Sequence, residues 1–249
     1  MLVHEFVDGN KPIMVLIHGV LTPWQVWMPQ IDAFKANYNI YAIALSAHTE
    51  EFPSEFVSVL TETEEIIRYF EANHVNSVDV LCGLSLGGKI AHEIWKSGRI
   101  NVNHLIMDGA PLAACPKFVI NMMIKNYKEI IHKSQRRDPR VLASFNNFLP
   151  EKYLQSFLKI ADHFTDKSIE NIANTVFSGG NIKGTNSKSR ILFLHGSKAN
   201  EVLSIKSAKL MKKYYPTTQV VCFSGDAHCH KAFFQPEKWI AIVNEWLSA

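Results

Sequence analysis

Short apolar runs separated by longer amphipathic stretches constrain this chain more than any other feature. Ile13–Ile17, Ile40–Leu45, Val78–Cys82, Leu105–Met107, Ile191–Leu194 and Val220–Phe223 are rich in Val, Ile and Leu and end near Gly, Ser, Asp or His. Continuous apolar runs of this kind are what strands look like when both faces of a parallel sheet are covered. Leu2–Val7 reads as an edge strand before them. The stretches between predict helices over Trp24–Ala36, Glu55–Asn73, Leu86–Lys96, Ser204–Tyr215 and Pro236–Leu247. Glu64, Glu65 and Arg68 mark an exposed, ion-paired face on the second of these. The expected class is α/β, a mostly parallel sheet flanked by helices.

One interval breaks the alternation. From Leu112 to Ser189 no buried strand is legible, only helix-like segments such as Phe118–Lys133, Pro139–Phe148 and Glu151–Phe164, closed by the polar stretch Ser178–Ser187. A helical insertion between two sheet strands is most simply a cap over the carboxyl ends of the strands, where open α/β sheets bind ligands. The expected division is 1–111 with 190–249 as one core domain, and 112–189 as the cap. The chain has 249 residues, 47% of them hydrophobic and 20% charged, which suits one large domain or two small ones and excludes disorder and fibrous architectures.

The net charge of +3 is unevenly spread. Residues 112–189 hold 12 Lys+Arg against 6 Asp+Glu, net +6, and the remainder holds 14 against 17, net −3. So small an overall excess gives no support to nucleic-acid binding. The four cysteines, Cys82, Cys115, Cys222 and Cys229, form no metal or redox spacing. Neither a signal-peptide pattern nor an apolar run of the ~20 residues needed to span a membrane is legible. The expectation is a cytoplasmic protein with reduced thiols and no membrane span.

The chemistry centres on Gly83-Leu84-Ser85-Leu86-Gly87-Gly88, set between a strand and a helix. This is the G-x-S-x-G elbow, which holds a serine on a tight strand-to-helix turn with its hydroxyl exposed. The flanking glycines are expected because a Cβ would clash where the chain turns so sharply. Read as an ordinary helix cap, Ser85 would leave that glycine bracket unexplained. The Leu86 N–H, at the helix start, is placed to stabilise an oxyanion.

His18-Gly19-Val20 follows the first buried strand. With the serine elbow it makes the chain resemble the α/β-hydrolase fold family, its serine esterase and lipase-like members with a helical cap. Ser46-Ala47-His48, Met107-Asp108-Gly109-Ala110-Pro111 and His195-Gly196 extend the resemblance in order along nearly the whole chain. The short amino terminus departs from larger members. The resemblance implies a three-layer sandwich with a sheet of about seven strands. It also implies an oxyanion hole from the N–H groups of Val20 and Leu86.

A late histidine follows the last strand, in Gly225-Asp226-Ala227-His228. That is where the family places its catalytic histidine, with His230 as fallback. The run His228-Cys229-His230 could be read as metal-binding, but it lacks a second ligand cluster, so no metal and no cofactor is expected. The triad acid is less legible. The family's usual Gly-x-x-Asp turn reads Gly196-Ser197-Lys198-Ala199, and alanine cannot orient an imidazole. Two candidates remain. Asp108 ends the preceding strand, from which some lipases and dehalogenases of this fold take their acid, and is preferred. Glu201 is the alternative and needs a displaced turn. Asp226 is a remote third, more simply a loop-turning residue.

Phe118, Val119, Met122, Met123, Phe145, Phe148, Phe157 and Phe164 recur at helical spacing, so most are expected to pack the cap and one or two to line a pocket. One of Trp24 and Trp27 is a candidate wall of the acyl site. Ser85, His228 and Asp108 thus predict a serine hydrolase acting on a small or medium carboxylic ester, with the basic cap biasing it toward anionic substrates. A thioesterase, a C–C bond hydrolase and a non-catalytic ligand-binding or regulatory protein of the same fold are the alternatives. An interaction module using the cationic cap is a further one.

Overall fold

The structure, a computed structural model, describes residues 1–184 and 188–249. One seven-stranded sheet runs through it in the order β1-β3-β2-β4-β5-β6-β7. The strands are β1 Leu2–Phe6, β2 Ile13–Ile17, β3 Asn39–Ala44, β4 Ser77–Leu84, β5 Asn101–Asp108, β6 Arg190–Gly196 and β7 Gln219–Phe223. Only β1 is antiparallel, pairing Leu2 with Ala44; β2 to β7 are parallel throughout. All the expected strands are present. β5 is longer than its apolar kernel suggests, because exposed Asn101 and Asn103 alternate with buried Val102 ahead of it.

The helices are α1 Met28–Phe34, α2 Val59–Ala72, α3 Leu86–Ser97, α4 Lys117–Gln135, α5 Pro139–Ser144, α6 Leu154–His163, α7 Asp166–Val176, α8 Val202–Tyr214, α9 His230–Phe234 and α10 Pro236–Ser248. α2 starts at Val59 rather than at Glu55, because the Ser58 hydroxyl accepts from the Thr61 N–H and caps it there. Arg68 pairs with Glu64 at 2.8 Å on its exposed face. α3 buries Ile90, Ala91, Ile94 and Trp95 beneath the sheet and ends on Gly98 in the left-handed conformation. Among the described residues no helix is long and apolar enough to cross a membrane.

The interval between β5 and β6 is helical, as expected, but holds one helix more than anticipated. α7 is capped by the Thr165 hydroxyl and buries Ile169, Ile172, Ala173 and Val176, a stripe at positions i, i+3, i+4 and i+7. It ties the insertion to the sheet domain: the Phe56 N–H donates to Ser168 Oγ at 3.1 Å, and Asn171 donates to the Phe56 carbonyl at 3.0 Å. Thr185–Ser187, the end of the polar stretch expected to close the insertion, lie outside the described residues.

Candidate active site

At the carboxyl end of β4 the chain enters Ser85 with φ 50° and ψ −112° and leaves directly into α3. Such a backbone is unfavourable for an L-residue by roughly 1–3 kcal/mol and persists only when its surroundings enforce it. Here the Ser85 N–H donates to the Asp108 carbonyl at 2.8 Å. The glycines are a steric requirement. A Cβ on Gly83 would lie 2.2 Å from the Gly87 carbonyl oxygen, and one on Gly87 would lie 2.1 Å from that of Ile17. Ser85 faces a cavity of about 500 Å³ that His228 and Val20 also line.

The turn after β2 is held by two buried histidines. The Leu45 N–H donates to His18 Nε2 at 3.1 Å and the Leu21 N–H to His48 Nε2 at 3.0 Å. Each ring therefore carries its hydrogen on Nδ1 and donates it onward, to the Gly19 carbonyl at 2.7 Å and the Ser46 carbonyl at 3.0 Å. Burial pushes His18 down to about 4 and His48 well below its ordinary value, so both rings are neutral props. This fixes Val20 at the cavity wall beside Ser85. Leu86 is the first residue of α3, so its N–H belongs to the turn that has no intrahelical acceptor. In the sequence, His18 and His48 carry only the family resemblance; their bracing of this turn has no local signal.

The histidine and the acids are where geometry and expectation part. His228 Nδ1 lies 2.7 Å from Glu201 Oε1, and the Glu201 side chain is fully buried. Asp108, the preferred candidate, does not engage His228: its Oδ2 accepts from Trp239 Nε1 at 3.0 Å. The reason is the loop after β6. Ala199–Glu201 coil into a 3-10 turn that runs straight into α8, and this rewinding delivers the longer side chain of Glu201 inward. The Ser197 and Lys198 N–H groups both donate to the Asp226 carbonyl, at 3.0 and 3.1 Å, lashing the acid loop to the histidine loop. Asp226 thus turns the loop, and its side chain pairs with Lys231 at 2.9 Å. Asp108 stays beside this site as a buried carboxyl. Desolvation pushes it up to about 7, with the nearby Glu201 carboxylate adding to the shift.

Other expected residues divide differently. Met123, Phe145, Phe148 and Phe157 line the cavity, more of the apolar set than anticipated, whereas Phe118 and Met122 are exposed. Neither Trp24 nor Trp27 reaches the cavity: Trp24 stacks on His4 and Trp27 packs edge-on against Trp239. His230 lines the cavity and stacks on Phe234. Among the described residues no Lys or Arg of the basic insertion lines it, so the expected bias toward anionic substrates finds no Lys or Arg counter-ion in the wall. Among the described residues no three His, Cys, Asp or Glu side chains converge as a metal site.

No family model matches this chain. Among curated proteins, epoxide hydrolase 3 of Xenopus tropicalis is 30% identical over 118 residues, an alignment spanning 43% of this chain and 30% of that protein's length. An α/β hydrolase family protein from Desulfitobacterium hafniense superposes with a TM-score of 0.76 at 20% identity, covering 99% of this chain and 100% of that one. A carboxylesterase structure from Nitrososphaera gargenis superposes with a TM-score of 0.75 at 13% identity, covering 99% and 93%. By sheet order and these superpositions, this chain has the α/β-hydrolase fold.

Proposed function

We propose that this protein is a serine hydrolase that cleaves a carboxylic ester through an acyl-enzyme on Ser85. The observation that carries the reading is His228, held by the buried Glu201 carboxyl and lining the same cavity as Ser85. Glu201 accepts from Nδ1–H, which leaves His228 Nε2 as the base. His228 takes the Ser85 proton as Oγ attacks the carbonyl carbon, and the N–H groups of Val20 and Leu86 hold the oxyanion. The tetrahedral adduct collapses as His228 protonates the departing alcohol. Water, deprotonated by His228, then attacks the acyl-serine and releases the acid, and the proton returns to Ser85. The inserted helices act as a cap that walls the cavity and limits water. Thioesters remain within reach of the same steps, because only the leaving group differs.

A fluorophosphonate probe tests this directly. Stoichiometric labelling of Ser85, abolished in Ser85→Ala, is the expected result. A folded wild-type protein that takes no label would overturn the reading and favour a ligand-binding protein.

Gly109 supplies a second test. It sits at φ +69°, and a Cβ there would lie 2.5 Å from His228 Cε1. Gly109→Ala should therefore displace the imidazole, lowering kcat/KM about 100-fold, as a misplacement near 1 Å does. Ester hydrolysis by the folded variant checks it, and unchanged turnover would show that the ring does not need this seat.

A further inference from the structure

We infer that the ester taken by this site is uncharged and carries a bulky apolar moiety, with on the order of fifteen non-hydrogen atoms in all. The inference rests on the serine-hydrolase reading and names the substrate class of that site.

Size comes from the cavity. Its volume of about 500 Å³ holds roughly fifteen groups of the ~30 Å³ that a water-sized unit occupies. A two-carbon acyl ester would leave most of that space unfilled, so its wall would forfeit contacts that a longer chain makes. Shape comes from the rings. Phe145 and Phe157 lie 5.2 Å apart, and Phe148 lies 6.4 Å from each. Phe157 and Phe145 are buried, whereas Phe148 is 43% exposed, so the cluster runs from the interior of the insertion to its surface. Each methylene buried along such a wall is worth about fourfold in binding, the equivalent of ~0.8 kcal/mol.

Charge comes from what the wall lacks and where the insertion's cations go. Among the described residues no Asp, Glu, Lys or Arg lines the cavity. Lys128 pairs with Asp166 and Glu170, Lys133 with Glu129, and Arg137 with Asp162. The insertion's positive charge is thus neutralised in part on its own outer faces. A substrate carboxylate among the rings would lose its water and gain no counter-ion, which is strongly unfavourable. Away from His228, Cys229 and His230, the wall's polar side chains are neutral amides and hydroxyls, among them Asn126, Ser144 and Asn147.

The test compares ethyl acetate, ethyl octanoate and ethyl hydrogen suberate by proton release, with hexyl phenyl ether as an uncleavable probe in calorimetry. Ethyl octanoate should exceed ethyl acetate in kcat/KM by at least about 100-fold, fewer than six buried methylenes at fourfold each would allow. Ethyl hydrogen suberate, matched in length but anionic, should fall about 100-fold below the octanoate. Phe148→Lys, which sets a cation at the exposed ring, should narrow that gap. Equal rates for acetate and octanoate, or preference for the suberate, in a protein whose Ser85 takes the fluorophosphonate would overturn the substrate class and leave the hydrolase reading standing. Hexyl phenyl ether bound by a protein that takes no label would overturn the hydrolase reading while supporting a neutral apolar ligand. Failure of the ether to bind would overturn the apolar ligand whatever the labelling shows.

Discussion

Glu201→Gln is expected to lower kcat for an activated ester by about 10⁴-fold, whereas Asp108→Asn should change it by less than tenfold. The difference follows from which carboxyl meets the histidine. Glu201 Oε1 lies 2.7 Å from His228 Nδ1, buried and aimed at nothing else. A glutamine amide in that place offers an N–H to Nδ1, which forces the ring hydrogen to Nε2 and removes the base that Ser85 needs. It also withdraws the negative charge that stabilises the imidazolium as the proton moves. Asp108 is held by Trp239 instead. Its backbone carbonyl, which receives the Ser85 N–H, survives the change to Asn. Loss of orders of magnitude in Asp108→Asn with little loss in Glu201→Gln would reverse the assignment.

Asp108→Asn also carries a pH signature. The Asp108 carboxyl is pushed up to about 7 in the folded protein, from an ordinary 3.8, by burial first and by Glu201 second. Between those values the folded state holds a proton that the unfolded state has released. The contribution of Asp108 to stability is therefore fully present below about pH 4 and is lost as pH rises through 7. Asparagine cannot ionise. The thermal midpoint of Asp108→Asn should rise relative to wild type between pH 4 and 7 and keep a constant offset above that. Parallel curves from pH 4 to pH 9 would show that Asp108 is ionised throughout.

Ser85→Ala and His228→Ala should each remove nearly all turnover, by about 10⁴–10⁶-fold, with the fold intact. Without Oγ no acyl-enzyme forms; without the imidazole the hydroxyl keeps its proton. Because the groups act as one unit, the double variant should lose little more than either single one. Single-turnover kinetics on an activated ester, with circular dichroism as the control for folding, measure this. An additive double loss would mean that the two residues act separately. The Ser85→Ala change also relieves part of a strained turn only if a conformation other than φ 50° becomes accessible there, and the glycine contacts at Gly83 and Gly87 deny it one.

The features legible in the chain were those fixed by local physics. Continuous Val, Ile and Leu runs suit a sheet covered on both faces, and six of the seven strands lie where those runs are, with β1 at the edge. Gly83 and Gly87 bracket Ser85 because no other residue lets the chain turn there. The extra helix α7 was legible too: Thr165 and the Ile169–Val176 stripe carry its cap and its buried face. Its signal is weak because the stripe is short and the surrounding stretch is polar.

Other features depended on contacts between segments far apart in the chain. Which carboxyl meets His228 is set by a 3-10 turn at Ala199–Glu201 and by two N–H groups held on the Asp226 carbonyl, 28 and 29 residues away. Reading along the chain ranks Asp108 ahead of Glu201, yet a carboxylate reaches an imidazole through space, and it is Glu201 that meets His228. The insertion's net charge of +6 is a property of composition, yet among the described residues none of its Lys or Arg lines the cavity. Charge belongs to a segment, whereas the wall of a pocket belongs to whichever faces the packing turns inward. The sequence by itself determined the sheet, the serine turn and the late histidine, because each rests on bond geometry or apolar patterning within a few residues. Only the tertiary structure decided which carboxyl meets His228 and which side chains wall the cavity, because those rest on distances that the folded backbone alone defines.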